Sequence, residues 1–371
     1  MKTSAVYLIA ALAVISLIAI LVPTCPAWGA ERGAVPVLAL DSRGATDPWG
    51  ADLLAGLAGG LGAREDVRLR VEYMGTDAVY DAAHVENLRA LYAHTYRDAR
   101  VEVVVASGPR AYEFARAFGP VLWPGAPVIF AGLPVDAEAG AAMASARGVP
   151  GGVGMSVDSR GTVAFMRTAH PGLGRVVVLG AQGMDAGPGV TAGAKAALAG
   201  MDGLAVEYLD APSLSVALER VRVLKAGGDA VILGLVPAGW AGALARAAGV
   251  PVYALFAHDV RGGAGVVGGV VADGRAHGAE VAGMVMGLLG GTPDTGGFRE
   301  GPAPVGLYRA DALERFGVER ASLPWGSAVT SSKSDEAGDA AAPPWWLLAI
   351  VLVEACVIGW LIARKPGRAH T

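Results

Sequence analysis

The stretch from Val101 to Phe118, VEVVVASGPRAYEFARAF, limits the folds open to this chain more than any other. Val101, Val103, Val104 and Val105 surround Glu102 and run into Ala106-Ser107-Gly108-Pro109, after which a helical pattern begins. A nearly continuous apolar run bounded by turn residues predicts a parallel strand covered on both faces. Ser107 or Gly108 is expected as the helix N-cap, with Pro109 in the first turn, where a missing N–H costs nothing. The strand then delivers its carboxyl end to a helix N-terminus. In open α/β sheets small ligands bind at that place, facing unpaired N–H groups and the positive end of the helix.

The same unit recurs. Strands are expected at 35–40, 67–74, 127–132 and 153–157, with helices at 49–61, 79–96 and 136–144 between them. Strict alternation in VRLRVEYM (67–74) puts that strand at a sheet edge or leaves it half-exposed. A second set follows, with strands at 175–180, 204–209, 230–235, 252–256 and 265–271 and helices at 187–200, 213–225, 237–248 and 273–289. By the right-handed crossover rule each set closes a parallel sheet, here of four or five strands. The fold class expected is therefore α/β, with two doubly wound Rossmann-like lobes at 31–155 and 156–325, the second sending a return crossing to the first. Two such lobes form a clamp whose hinge strands let them close on a ligand.

Mean hydropathy is +0.45, high for a chain wholly in water, so part of this one is expected in lipid. Residues 5–22 are apolar after Lys2, and Ala27-Trp28-Gly29 could be cleaved; 1–30 reads as a signal peptide or a signal-anchor, and both stay open. Residues 345–363, WWLLAIVLVEACVIGWLIA, are apolar except for Glu354. Tryptophans stand at both edges, and Arg364, Lys365 and Arg368 follow at once. That pattern predicts a transmembrane helix with a cytoplasmic basic tail at 364–371, holding the main domain in the periplasm at the inner membrane. The Ser-, Asp-, Ala- and Pro-rich stretch 326–344 reads as a flexible tether.

Other classes are excluded by what is missing. A net charge of −4 gives no nucleic-acid footprint. The cysteines are Cys25 and Cys356, both in or beside the apolar ends, so the region between offers neither a disulfide nor a thiolate metal site. His84, His94, His170, His258, His277 and His370 are scattered, and no metal site is expected. GAGVVG at 263–268 matches the dinucleotide-loop letters but leads into a strand instead of leaving one for a helix.

In order along the chain, LALDSRGATDPWG, VEYMGTDAVYDAAHVENL, VEVVVASGPRAYEF, LWPGAPVIFAGLP, HPGLGRVVVLG, PVYALFAHDVRGGAGVVGGVV and YRADALERFGV resemble the ABC-transporter substrate-binding-protein family. That family has the type I periplasmic-binding fold. The nearest version is the one used as the extracytoplasmic sensor domain of membrane histidine kinases, and the resemblance spans Val35 to Leu323. The chain departs from the family at Gly108-Pro109, where Asp or Asn usually follows the serine, and in a less polar loop after Val236.

The resemblance implies ligand contacts at strand carboxyl ends. These are Asp41, Ser42, Trp49, Ser107, Gly108 and Gly132 from the first lobe, and Gln182, Asp185, Phe256, His258 and Asp259 from the second. Each residue type also has a plainer role. Ser107 could donate to a ligand carboxylate or cap the helix; Asp41 could pair with a ligand amine or cap the following turn; Trp49 could stack on a ligand or sit in the core. His258 and Asp259 lack an accompanying nucleophile motif, and neighbours in an extended segment point opposite ways, so no catalytic role is assigned to them. The resemblance implies a solute-binding or sensing protein without cofactor or turnover, closing on a small organic solute, amino-acid-like or aromatic among the options. Its partners would be the membrane and a separate histidine kinase or ABC permease. Two alternatives stay open: the binding component of an ABC importer, and a membrane-anchored α/β enzyme, which would have to work without a nucleophile elbow or a placed phosphate loop.

Overall fold

Buried valine runs build two largely parallel sheets in the computed structural model, which describes residues 34–291 and 297–331. The first sheet holds β1 (Val35–Asp41), β2 (Val67–Tyr73), β3 (Val103–Ser107), β4 (Val128–Leu133) and β5 (Gly151–Gly154). It also holds β11 (Gly297–Arg299), in the order β11-β5-β4-β3-β1-β2. The second contains β6 (Arg175–Ala181), β7 (Ala205–Ala211), β8 (Asp229–Leu233), β9 (Val252–Ala254), β10 (Gly268–Val271), β12 (Val305–Arg309) and β13 (Ala328–Thr330). Its order is β13-β12-β10-β9-β8-β6-β7, with only the β10–β12 pair antiparallel. Both sheets carry the doubly wound order 2-1-3-4-5, so each has a switch point beside its first strand, where a crevice opens at the strand carboxyl ends.

The helices follow from their caps. In α1 (Pro48–Leu61) the Asp47 carboxylate accepts the Gly50 N–H at 2.6 Å and Pro48 opens the first turn. Next come α2 (Ala82–Thr95), α3 (Pro109–Leu122), α4 (Ala137–Ala144), α5 (Ser159–Ala169), α6 (Gly187–Leu198), α7 (Leu214–Arg222) and α8 (Trp240–Ala247). Three more, α9 (Ala257–Gly262), α10 (Gly274–Leu289) and α11 (Ala310–Arg315), complete the set among the described residues. Strand alternation divides the first lobe's core. Leu38, Leu40, Val104 and Phe130 pack with Tyr92, Phe114 and Trp123 of the α2–α3 layer, while Val37, Ala39, Val105 and Ile129 face α1 on the other side. That second face is continuous with the core of the other lobe.

The lobes are joined through α10. It follows β10 of the second sheet yet packs along α1 of the first lobe, with backbones so close that a Cβ on Gly278 would stand 1.9 Å from the Leu53 carbonyl oxygen. An ion-pair network closes the same junction: Asp52 of α1 takes Arg261 of α9 and Arg275 of α10, and Arg261 also holds Asp273.

Several expectations are corrected. The sheets have six and seven strands instead of four or five, because β11, β12 and β13 add to them as short strands, β11 pairing with β5 far back in sequence. β11 is the return crossing, joining β5 of the first lobe. The segment 326–344 does not begin as a tether: Ala328–Thr330 pairs with Leu307–Arg309, and a β-branched pair at an edge suffices for that. Of the two residues expected to cap the helix of the opening unit, Gly108 does so, at φ +87°, and Ser107 ends the strand. The apolar run 252–256 stops being a strand at Ala254, and His258 and Asp259 lie on α9, a helix. The expected edge strand β2 does stand at the edge. Among the described residues no helix is long and apolar enough to cross a membrane. Residues 1–30, 345–363 and the basic tail lie outside the described residues.

Candidate functional site

The switch points of the two sheets face each other across a small cavity of about 10 Å³, room for one water-sized group. All the first-lobe residues expected at the site line it: Asp41 and Ser42 after β1, Trp49 at the start of α1, Ser107 and Gly108 between β3 and α3, and Gly132 near the end of β4. The second lobe contributes Asp185, together with Ala186. Arg43 and Met155, which sequence reasoning passed over, complete the wall.

Register explains the convergence. Asp41 at the end of β1 stands opposite Ser107 at the end of β3, and the Ser42 N–H donates to the Ser107 carbonyl at 2.9 Å. Ser42 then does what was expected of Ser107: its Oγ accepts the Ala111 N–H at 2.9 Å and satisfies the first turn of α3. Gly108 is required both by its positive φ and by crowding, since a Cβ there would stand 2.6 Å from Ser42 Oγ and 3.3 Å from Asp185 Oδ2. Asp185 therefore reaches from the second lobe to the N-terminal end of α3.

Of the two roles considered for Asp41, the structure shows the cap. Its Oδ1 accepts the Arg43 N–H at 2.9 Å and caps its own turn, while its buried Oδ2 has no hydrogen-bond partner. The residue is 2% exposed. Burial pushes its carboxyl up to about 6, reinforced by Asp47 and opposed by the Arg43 N–H, the Arg43 charge and the Ser107 hydroxyl. Asp185 is built alike, Oδ1 on the Ala186 N–H at 2.9 Å and Oδ2 buried without a partner. Arg43 forms a buried ion pair with Asp47, and its Nη1 rests on the Met184 sulfur at 3.8 Å. Burial raises the Asp47 carboxyl, with the Arg43 charge working against it.

An aromatic wall crosses the lobes beside the cavity. Trp49 meets Phe256 edge-on at 5.5 Å and His277 at 5.6 Å. His277 Nε2 accepts the Gly132 N–H at 3.0 Å, tying α10 to β4, and burial holds its imidazole down at about 4. Phe256 is fully buried and His258 stacks on it at 5.6 Å. His258 Nε2 lies 3.6 Å from Asp259 Oδ2. Burial drives His258 down to about 3 and Asp259 well up, so the two are neutral neighbours, not an ion pair. Phe256, His258 and Asp259 thus stand behind the cavity wall. Gln182 goes elsewhere: its exposed side chain donates to the Asp210 carbonyl at 3.2 Å, away from the cleft.

Asp47 and Arg43 had a readable signal, an Asp-Pro helix start preceded by a basic residue four positions back, where the pair forms on one turn. Met155 had none, since it lies in the crossing after β5. Among the described residues no cluster of three or more His, Cys, Asp or Glu side chains is placed to hold a metal ion.

Comparison with solved structures identifies the fold. A conserved domain protein from Vibrio cholerae O1 biovar El Tor superposes with a TM-score of 0.59 at 15% identity, covering 80% of this chain and 99% of its own. An ABC domain from Streptococcus pneumoniae in complex with L-Trp gives 0.58 at 16% identity, over 77% and 95%. The ligand-free, open structure of a substrate-binding protein with adhesive properties from Clostridium difficile gives 0.56 at 13% identity, over 80% and 99%. The chain has the two-lobed α/β architecture of the solute-binding proteins of ABC transporters, the type I periplasmic-binding fold. A scan against protein-family models finds no match, and a search of curated proteins finds none.

Proposed function

We propose that this chain is an extracytoplasmic solute-binding protein whose two lobes close on a small organic solute without altering it. The observation that carries this reading is the cavity at the facing switch points, walled from one lobe by Asp41, Ser42, Ser107 and Gly108 and from the other by Asp185 and Ala186. The neighbour solved with L-Trp makes amino-acid-like and aromatic solutes reasonable first choices. Catalysis draws no support from His258 and Asp259, which are buried and do not line the cavity, and the Ser42 hydroxyl there is taken by the Ala111 N–H.

In this reading the terminal segments hold the domain at the inner membrane, and lobe closure passes to a membrane partner. A sensor role, with a histidine kinase as partner, suits a domain tethered through 345–363. Delivery to an ABC permease is the second reading, supported by the fold it shares with transporter components. Thermal-shift screening of the full chain in detergent against a metabolite collection tests the core claim. One chemical class is expected to raise the melting temperature, because binding to the native form alone stabilises it by mass action. Small-angle scattering should show the protein contracting with the same compound. A collection that produces neither effect refutes the reading. Protease accessibility in spheroplasts tests the location: digestion from the outside is expected, and protection contradicts it.

A further inference from the structure

Resting on that cleft reading, we propose that the solute is an organic amine, and that its primary ammonium group is held between Asp41 of the first lobe and Asp185 of the second. Both residues line the same cavity, whose volume of about 10 Å³ is the room of one water-sized group, the size of an ammonium head. Each carboxylate is fixed by its own turn, Asp41 Oδ1 by the Arg43 N–H and Asp185 Oδ1 by the Ala186 N–H, both at 2.9 Å. Each is left with a buried second oxygen that has no hydrogen-bond partner among the described residues, with the Ser107 hydroxyl near enough to Asp41 to lower its carboxyl. Orphaned buried carboxylate oxygens are costly, and two residues that each carry one line the same cavity, an arrangement suited to receiving donors. An ammonium carries three N–H donors and a positive charge, so it can satisfy oxygens from both lobes at once.

The surrounding charges agree. The cavity wall contains one cation, Arg43, and Asp47 already neutralises it. Asp41 and Asp185 then remain unbalanced, which repels a solute whose buried end is anionic. Trp49 stands in the same wall, so the carbon frame of the amine would meet an aromatic face when the lobes open to admit it.

The test uses the full chain in detergent near neutral pH, with titration calorimetry and thermal shift. The probes are putrescine, tryptamine and L-tryptophan, against amine-free partners 1,4-butanediol and indole-3-propionate, and myo-inositol. At least one amine is expected to bind and stabilise, its amine-free partner not. Asp41→Asn and Asp185→Asn should each weaken that binding by about thirty-fold or more, the loss for truncating one partner of a buried charge pair. Circular dichroism and the ligand-free melting temperature establish that both variants are folded. Binding of an amine-free probe that both variants retain overturns the ammonium assignment and leaves the solute-binding reading standing. Stabilisation by sodium or calcium ions with no response to any amine also overturns it. No binding by any probe, nor by any compound of the wider collection, overturns both.

Discussion

Replacing Asp41 by Asn should make the ligand-free protein more stable, by an amount that depends on pH. The carboxylate is 2% exposed, keeps one oxygen on the Arg43 N–H, and leaves the other unpaired. Its folded value of about 6 lies above the ordinary 3.8, chiefly because burial disfavours the charge. A carboxylate raised on folding contributes its relative stability fully below the unfolded value and loses it as pH climbs through the folded one. A rise from 3.8 to about 6 corresponds to about 3 kcal/mol of penalty above both values. Integrating the linkage leaves about 1 kcal/mol of it at a pH of about 4.5. The amide removes the charge and keeps the contact, because its carbonyl oxygen can still accept from Arg43. Its NH2 would lie near the Asp47 carboxylate, since a Cβ on Gly50 would stand 2.7 Å from Asp41 Oδ2 and 3.0 Å from Asp47 Oδ2. With an unfolding entropy of about 2 cal/mol/K per residue over roughly 290 ordered residues, 3 kcal/mol is about 5 °C of melting temperature. Thermal melts of ligand-free wild type and D41N, at pH values of about 7.5 and 4.5, read it directly. A variant that melts no higher than wild type at the upper pH, or an offset equal at both, refutes the reasoning.

Three further outcomes follow from the packing. Gly278→Ala should destabilise by about 1–3 kcal/mol or more in urea unfolding, because its Cβ would meet the Leu53 carbonyl at 1.9 Å. Gly283→Ala on the same helix meets nothing within 4 Å and should instead stabilise by up to about 1 kcal/mol through helix propensity; equal effects of the two would refute the close α1–α10 contact. Trp49→Ala should cost about 3–5 kcal/mol as a buried aromatic, whereas Trp325→Ala, fully exposed, should stay within about 0.5 kcal/mol of wild type by the same assay. His277, held down at about 4 by burial, contributes stability that is complete above its unfolded value of 6.5 and is lost as pH falls toward 4. His277→Gln should therefore flatten the fall in melting temperature over that window, and an unchanged slope would contradict the buried neutral imidazole.

The lobes were legible because parallel strands covered on both faces must be written as apolar runs, and Val101–Val105 or Arg175–Gly180 can be little else. The family resemblance, which puts contacts at strand carboxyl ends, implied Asp41, Ser42, Ser107, Gly108 and Asp185, and these line one cavity. It failed where local geometry takes over. Gln182 also follows a strand, but Gly183 at φ +85° accompanies a turn that sends its side chain outward to Asp210. His258 and Asp259 were misjudged because Leu255 and Phe256 prolong an apolar run beyond the strand, and a wholly buried run carries no periodicity to mark its end. β11 was invisible for another reason. Its three residues, Gly297-Phe298-Arg299, gain their place from β5, some 145 positions earlier, where Gly154 leaves room for the Phe298 ring. Such a pairing is a property of the assembled lobes, not of either segment.

The same distinction bears on how the clamp would respond to its solute. Strands and helices set where Asp41 and Asp185 stand, but only contact between the lobes brings both to one cavity. Two like charges approaching in a poorly hydrated site oppose closure, while the Trp49–Phe256 contact and the Asp52–Arg261–Arg275 network favour it. A solute can shift that balance only by preferring the closed form. Moving a population from 1:99 to 99:1 requires about 5.5 kcal/mol of such preference. One charge pair about 4 Å apart near a protein surface is worth about 4 kcal/mol before desolvation is subtracted. In the open form an ammonium meets one of the two carboxylates, and in the closed form it meets both. The second contact therefore supplies at most part of that preference, and what the carbon frame meets in the closed form must supply the rest.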